Sequence, residues 1–435
     1  MNPLVSCAVA GSTLAALASA QALEPGYQAS ARDLPLRSGN VLVLDDLDAF
    51  VAFDGTRLVL DTPGGPRTLL SLAAPSFGAF TLRTDRDHVL FADGLSGELW
   101  LVDLVQGGGR VLATLAFPYD AILWRPGLAL ISAKTGGFAS PDNELVALAL
   151  DDGRSDLIAR LPGSSGPLVR DGDGVLYATA SLAFPAPPGS VDLLFFGDTQ
   201  LVGALGPTHL GAADAQLVHR GLDAASDLAV DRDGDVFFID WRNGTVGELS
   251  RHPRLSPRVS TLVRYAASGP SAAGLQFTSE NLGPAAFEPY QPAADHALFV
   301  HESDFASGAS RLRRIAPQRA SLELRPANPV PAGPFALELR GAAAGGFAVI
   351  AFGLNPTQRE QRLPLEGFEQ PLFWDESFFR AIESILVPLD AQGHARVDLV
   401  NPGFGVNLPF GAQAAFLDPR DPILGTTAAI AITLR

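Results

Sequence analysis

The clearest pattern of hydrophobic and polar positions lies in residues 227–250, DLAVDRDGDVFFIDWRNGTVGELS. Three short apolar runs alternate with polar turns, and the middle run, residues 236–239, is apolar throughout. Such a continuous run is typical of a strand buried on both faces. The Asn243-Gly244 pair then predicts a hairpin with a type I′ turn, which needs positive φ at both central residues. The segment therefore predicts one antiparallel unit of a β-propeller.

The same pattern recurs along the chain. Residues 48–72 hold two strand-like runs around an Asp54-Gly55 turn, and residues 80–115 contain VLFADGLSGELWLVDL. Weaker copies begin near residues 121, 168 and 274. Six units at roughly 40–60-residue spacing predict a six-bladed propeller over residues 40–317. The last unit shows only three strands. We expect residues 40–44, NVLVL, to supply its missing outer strand and close the ring, with residues 23–39 as a polar connector.

The unit at residues 227–250 resembles an NHL repeat. The resemblance is carried by DLAVD at 227–231, Gly234, the apolar run 236–239, Asp240, Asn243 and Gly244. The unit is also similar to a blade of gluconolactonase-like (regucalcin-type) propellers. The resemblance covers residues 40–317 and is sharpest in the first, second and fifth units. It implies the fold more than a function, because propellers host many unrelated activities.

Composition changes near Pro317. Residues 318–435 alternate strand-like runs with Gly, Pro and Asn turns, which predicts a C-terminal β-sandwich of ordinary domain size. The fold class expected for the whole chain is therefore all-β. The final stretch, GAQAAFLDP followed by GTTAAIAITLR, resembles a module at the end of secreted planctomycete-type bacterial proteins, and no chemistry follows from it.

The N-terminus predicts export. Residues 4–20 are small or apolar and carry no charge, and Ala18-Ser19-Ala20 or Ala20-Gln21-Ala22 fits a small-residue cleavage site. We interpret residues 1–22 as a secretory signal peptide, which places the mature protein in the periplasm or outside the cell. A membrane anchor is the alternative, but the run is short for one. Cys7 is the only cysteine, so the mature chain should lack disulfides and thiol nucleophiles.

Charge and motifs exclude several function classes. A net charge of −16 at pH 7 argues against nucleic-acid binding, which needs a basic face. The sequence has no Gly-x-Ser-x-Gly elbow, P-loop, dinucleotide fingerprint or HExxH spacing. Asp231-x-Asp233-x-Asp235 begins like a calcium loop, but Val236 and Arg242 stand where an EF-hand needs Gly and Glu. Turn geometry explains those aspartates better.

Polar residues at the ends of apolar runs have a structural and a functional interpretation. Asp61, Asp93 and Asp240 each precede a Gly by four residues. The structural interpretation has each carboxylate accepting backbone N–H groups of its own turn. Recurrence favours it, because a binding site needs only one copy. His301 follows an apolar run, where a lone histidine is more often a hydrogen-bonded structural residue than a ligand.

Asp48, Asp120 and Asp227 form the candidate site. Each begins the first strand of a predicted unit, and in propellers that strand lines the central channel. Converging carboxylates repel one another, which raises their pKa values or recruits a cation. Oxygen ligands without a His or Cys cluster favour a hard cation, and we expect Ca²⁺. The alternative is that the three acids are solvated or singly paired and face different ways.

Two functions follow. The first is a secreted binding or scaffold module for a small molecule, glycan or protein, which the lack of a catalytic motif favours. The second, implied by the resemblance, is a metal-dependent lactonase or hydrolase whose channel cation is held by Glu, Asn and Asp. The nearest counterpart here, Ala225-Ser226-Asp227, has Ser in the acidic position. No matching Glu precedes the first unit. In an enzyme, Asp227 would be a metal ligand or base.

Overall fold

The chain is all-β, as the sequence predicts. The computed structural model describes residues 22–23, 27–34, 40–45, 49–137, 139–183, 186–230, 235–250, 258–266, 270–277, 297–304, 307–317, 321–326, 329–342, 345–354, 383–403, 408–417, 424–426 and 430–435. In these ranges strands dominate, beside one short helix, α1 (Asp198–Gly203), and a 3₁₀ turn at Ala212–Asp214. The predicted signal peptide lies outside the described residues, apart from residue 22.

Six antiparallel sheets follow one another as blades of a propeller. Two N-terminal strands, β1 (Ala22–Leu23) and β2 (Tyr27–Asp33), precede them. Blade 1 contains β3 (Asn40–Asp45), β4 (Ala49–Phe53), β5 (Arg57–Asp61) and β6 (Arg67–Ser71). Blade 2 contains β7 (Gly78–Arg83), β8 (His88–Asp93), β9 (Glu98–Asp103) and β10 (Gly109–Thr114). Blade 3 contains β11 (Asp120–Arg125), β12 (Leu128–Lys134), β13 (Asp142–Ala149) and β14 (Ser155–Pro162).

The second half of the ring repeats this order. Blade 4 contains β15 (Leu168–Asp171), β16 (Gly174–Ala178), β17 (Val191–Gly197) and β18 (Gln216–Leu222). Blade 5 contains β19 (Leu228–Val230), β20 (Val236–Asp240), β21 (Thr245–Ser250) and β22 (Arg258–Arg264), against which β1 adds a fifth strand. Blade 6 contains β23 (Ser271–Phe277), β24 (Leu298–Ser303) and β25 (Ser310–Pro317). The first strands of consecutive blades contact one another, and β23 contacts β3 to complete the ring.

The hydrophobic core of the propeller lies between the blades. Six clusters of buried apolar side chains each join two consecutive blades. Strand β20 shows why its sequence is apolar throughout. Val236 and Phe238 pack toward blade 4, whereas Phe237 and Ile239 pack toward blade 6. Alternate side chains of a strand point to opposite faces, so a strand between two blades is apolar at every position, as predicted.

The ring is closed by β2, not by the segment that the sequence favoured. Strand β2 pairs with β25 as the outer strand of blade 6. The prediction that residues 40–44 close the ring is therefore wrong, because β3 is the first strand of blade 1. The physical reason is burial: an outer strand is largely solvated and can be polar, as YQASARD is. The apolar NVLVL run occupies an inner strand instead. Part of the predicted connector thus belongs to the propeller.

A side-chain clamp joins blades 6 and 1 as well. The Gln276 side-chain amide donates to the Val43 carbonyl and accepts from the Val43 N–H, both at 2.9 Å. These groups are buried, and a buried backbone pair left unsatisfied is costly. The Gln276 side chain therefore acts as a short cross-link between the inner strands of the first and last blades.

The predicted hairpin at Asn243-Gly244 is present, but its turn is of a different type. Strands β20 and β21 pair up to Asp240 and Thr245. Gly244 has a φ of 62°, whereas Phe117 is the only described non-glycine residue with positive φ. A type I′ turn is therefore wrong here. The Asp240 carboxylate accepts the Asn243 N–H at 3.1 Å instead, which stabilises a four-residue turn with Gly at its last position.

After Pro317 the chain forms two further antiparallel sheets. The first contains β26 (Ser321–Arg325), β27 (Gly333–Arg340) and β30 (Ala395–Asn401). The second contains β28 (Phe347–Leu354), β29 (Glu383–Pro388), β31 (Leu408–Leu417), β32 (Leu424–Thr426) and β33 (Ile430–Leu434). Both sheets contribute to one hydrophobic cluster, with Leu337 from the first and Ile350 from the second fully buried. The domain boundary at residues 317–318 stays a prediction.

Candidate functional site

We call the end of the propeller at which the first strand of each blade begins the upper face. Strand β11 begins at Asp120, and Asp227 immediately precedes β19. Both predicted acids therefore stand at the upper face. Asp48 lies outside the described residues. The strand after it, β4, is the second strand of blade 1 and not the first, so the reason for grouping Asp48 with the other two acids was wrong.

Asp120 and Asp227 make the same contacts in their two blades. Asp120 accepts the N–H of Ala121 at 2.8 Å and that of Leu168, in blade 4, at 2.7 Å. Asp227 accepts the N–H of Leu228 at 2.9 Å and that of Leu275, in blade 6, at 2.6 Å. Each carboxylate thus ties its own inner strand to the inner strand of the next blade. This arrangement orients both acids. Each carboxylate oxygen accepts one N–H group, and an ionised carboxylate has about four acceptor sites in all.

The electrostatic state of the pair is unusual. Both residues keep some accessible surface, yet protein atoms surround them closely. Burial raises the pKa of Asp120 to about 6. Burial raises the pKa of Asp227 well above its ordinary value, and the nearby charge of Asp120 raises it further. Among the described residues neither acid has a cationic partner. The structure therefore brings two of the three predicted acids together.

Tyr119 is a site residue that the sequence did not reveal. Its hydroxyl donates to the Ser226 carbonyl at 2.8 Å, so a side chain of blade 3 reaches the segment that precedes Asp227 in blade 5. The ring is exposed to solvent. Although the ring is exposed, desolvation by the surrounding protein atoms raises the pKa of the phenol, and the charges of Asp227 and Asp120 raise it further. The aromatic residue directly before Asp120 was the available signal.

His301 also lies close to Asp227. It is 3% exposed, and burial lowers its pKa to about 4. Its partner across the ladder is Gly274, where a Cβ would lie 3.6 Å from Asp227 Oδ2 and 3.7 Å from His301 Cβ. The Nε2 atom has no hydrogen-bond partner among the described residues. The hydrogen bond expected of a structural histidine is therefore not made at Nε2 within the described residues, and the low pKa keeps the imidazole neutral at pH 7.

A buried polar seam between blades 3 and 4 was also missed. It contains Lys134, the only lysine of the chain. The ammonium donates to the Ser140 carbonyl at 2.9 Å and to Ser164 Oγ at 3.3 Å, and burial lowers its pKa. The Tyr177 hydroxyl donates to Asn143 Oδ1 at 3.1 Å in the same seam. A single lysine carries no periodic signal, so the sequence offered no reason to place it there.

The recurrent aspartates have two different roles. Asp93 accepts the N–H of Leu95 at 2.9 Å, and Asp240 accepts that of Asn243. The structural interpretation is confirmed for these two. Asp61 instead ends the third strand of blade 1 and pairs with Arg32 at 3.2 Å. Its spacing to Gly65 resembled the other two copies, but its place in the blade is different.

Within the described residues, no group of three or more His, Cys, Asp or Glu side chains is arranged to hold a metal ion. In the same part of the chain, the helices are too short or too polar to span a bilayer. The Asp-rich turn at residues 231–234 lies outside the described ranges.

Comparisons with known proteins find only distant structural similarity. No family model and no curated protein matches the chain. Among solved structures it is similar to regucalcin, a calcium-binding protein from Agrobacterium tumefaciens, with 13% identity, a TM-score of 0.44, and coverage of 66% of this chain and 93% of that one. It is also similar to an inactive virginiamycin B lyase variant from Staphylococcus aureus, with 10% identity, a TM-score of 0.42, and coverage of 66% and 99%. Likenesses at this level assign no ligand.

Proposed function

We propose that the protein is a secreted binding module whose ligand places a cationic group at the upper end of the channel, between Asp120 and Asp227. The observation that supports this is the position of two carboxylates at the upper ends of inner strands, near enough for the charge of Asp120 to act on Asp227. Neither acid has a cationic partner among the described residues. A structural clamp alone does not require the two acids to repel each other. Perturbed carboxyl groups in a cleft are typical of functional sites, and a bound cation removes the repulsion.

The chemistry of the donors distinguishes two kinds of cation. Calcium takes about six to eight oxygen ligands, and the described residues offer two carboxylates here. Calcium would therefore draw its other ligands from water and carbonyl groups. An ammonium or guanidinium group needs fewer acceptors, and it gains from an aromatic face such as that of Tyr119. An uncharged glycan would leave the repulsion between the carboxylates unchanged. A ligand of either kind must therefore bring a positive charge to the two carboxylates.

Isothermal titration of the full chain tests the proposal. After treatment with chelator, the wild type, Asp227→Asn and the control Asp103→Asn are each titrated with CaCl2 and with methylguanidinium chloride. Asp103 also accepts two backbone N–H groups, from Val105 and Gln106, but it ends β9 at the opposite end of the propeller. We expect binding of at least one of the two cations to the wild type and Asp103→Asn, weaker by about tenfold or more in Asp227→Asn.

Equal affinities in all three proteins, or no binding of either cation, would overturn the proposal. Calcium binding alone would favour the inorganic ion as the ligand. It would also support the alternative function, a metal-dependent lactonase. Asp227 would then act through a metal. Methylguanidinium binding alone would favour an organic ligand.

A further inference from the structure

The exposed apolar side chains of the propeller are distributed unevenly. All four exposed Phe, Tyr and Trp side chains that the structure describes in the propeller lie on loops of the upper face. Two exposed leucines accompany them. The six residues, called here the upper rim, are Phe77, Leu95, Phe117, Tyr119, Leu182 and Trp241. The opposite end exposes only aliphatic residues such as Val105 in its described turns. The aromatic surface is therefore on the same end as the acidic pair.

Contacts between the loops join blades 2 and 3 of the upper rim. The Phe77 ring packs over Gly94, where a Cβ would lie 2.0 Å from it, so this glycine lets the ring approach Leu95. The turn that carries Leu95 is tied to the loop that carries Phe117, because the Leu115 N–H donates to the Gly97 carbonyl at 3.0 Å. The loops that carry these three exposed side chains are therefore joined to one another.

The same loop connects to blades 4 and 5. Tyr119 donates to Ser226, whose own N–H donates to the Ile239 carbonyl at 3.1 Å, two residues before Trp241. Asp223 then joins two further loops: it accepts from the Asn243 side chain at 3.0 Å and from the Gly189 N–H at 2.9 Å. Gly189 belongs to the loop that carries Leu182. Hydrogen bonds thus join every loop of the upper rim around the acidic pair.

Phe117 adds an independent indication of function. Its φ is 45°, a left-handed conformation that costs a bulky side chain on the order of 1 kcal/mol. Nothing in the pairing of β10 with β9 requires it, because the residue lies after that strand ends. Strained backbone of this kind is concentrated at binding and catalytic sites. The strain holds an aromatic side chain at the surface, beside Tyr119.

From this geometry we infer that the ligand is a polypeptide segment with one Arg or Lys side chain between apolar residues. The cationic group enters the channel at Asp120 and Asp227, and the flanking apolar groups lie on the upper rim. This inference rests on the proposed function and adds the ligand class. Charge complementarity requires the cation, and the net charge of −16 attracts such a segment. The upper rim spans four blades, which is wider than a metal ion or a simple amine.

A peptide array tests the inference with the full chain. Heptapeptides with a central arginine between leucine and phenylalanine are compared with matched peptides that carry citrulline at the centre or serine at the flanks. The variants are Leu95→Ser and Trp241→Ser, with Val105→Ser as the control. Leu95 and Val105 are matched, because they are 62% and 65% exposed in two turns of the same blade at opposite ends. Thermal unfolding confirms that each variant is folded.

We expect Leu95→Ser and Trp241→Ser to weaken binding of the arginine peptide by about tenfold, the cost of losing one good interface contact. Val105→Ser should bind it like the wild type, and methylguanidinium affinity should not change in any of the three. The citrulline peptide should bind at least about tenfold more weakly than the arginine peptide.

Three outcomes would overturn the inference while the proposed function stands: no arginine peptide binds, Leu95→Ser and Trp241→Ser match Val105→Ser, or citrulline replaces arginine without loss. If Asp227→Asn leaves methylguanidinium and calcium affinity unchanged, the proposed function itself is wrong.

Discussion

Substitution of Asp120 by Asn should change how the stability of the protein depends on pH. Burial raises the pKa of Asp120 from 3.8 to about 6 in the folded protein, so the folded state holds this proton more tightly than the unfolded chain does. The stability that this adds is fully present below the unfolded pKa, and it is lost as the pH rises through about 6. Asp227, whose pKa is also raised, acts in the same direction.

The size of the effect follows from the shift. About two pKa units at 1.36 kcal/mol each give an upper limit of about 3 kcal/mol. Asp120 keeps some contact with solvent in the channel, which reduces the expected value to about 1–2 kcal/mol. Asn can accept only one of the two N–H groups that Asp120 accepts now, which lowers stability at every pH. The slope with pH, and not the stability at one pH, is therefore the informative quantity.

Urea unfolding between pH 4 and pH 7.5 measures that slope for the wild type, Asp120→Asn and Asp103→Asn. We expect the wild type to lose about 1–2 kcal/mol more than Asp120→Asn over this range. The pKa of Asp103 is lowered by its N–H bonds, so its stabilising contribution is lost only at acid pH, and Asp103→Asn should keep the wild-type slope near pH 6. Superimposable pH profiles for the wild type and Asp120→Asn would refute the reasoning.

Three further predictions concern the fold. Gln276→Ala should lower the free energy of unfolding by about 2–3 kcal/mol, because two buried bonds to Val43 are lost; the exposed Gln106→Ala serves as its control in urea unfolding. Deletion of residues 22–33 should leave the outer edge of β25 unpaired and speed exchange of the amides that bond to β2, whereas deletion of residues 1–21 should not; equal exchange in both would contradict closure by β2. Residues 23–318 and 319–435, produced separately, should each unfold cooperatively by calorimetry, and failure of the first fragment to fold would place the C-terminal sheets within the propeller unit.

The propeller could be predicted because its signal is repeated and local. The apolar run at residues 236–239 indicates burial on two faces wherever it lies in the ring, and the turn residues around Asp93 and Asp240 mark the same hairpin in two blades. The closing strand could not be found in this way. Strand β2 is polar and has a long-range partner, so neither hydrophobicity nor neighbouring sequence distinguishes it from a connector. The apolar run at residues 40–44 was therefore chosen as the closing strand, because it has the hydrophobicity of a strand and β2 does not.

The candidate site could be predicted only in part. Asp120 and Asp227 were found because each begins an inner strand, and the architecture converts that shared position into proximity. Asp48 was grouped with them because the strand that follows it, β4, was interpreted as the first strand of blade 1, whereas it is the second. Tyr119 and Gly274 were missed as site residues, and His301 was interpreted as structural, because their relation to Asp227 exists only across blades. Short-range sequence patterns carry no information about such contacts.

Proton release on ligand binding tests the central claim most directly. Titrations with whichever cation binds are repeated at pH 6 in buffers of different ionisation enthalpy, for the wild type and Asp120→Asn. A cation held between two carboxyl groups of raised pKa must displace their proton, so we predict release of at least about 0.5 proton per cation by the wild type and clearly less by Asp120→Asn. Cation binding to the wild type without proton release at pH 6 would contradict a site between Asp120 and Asp227.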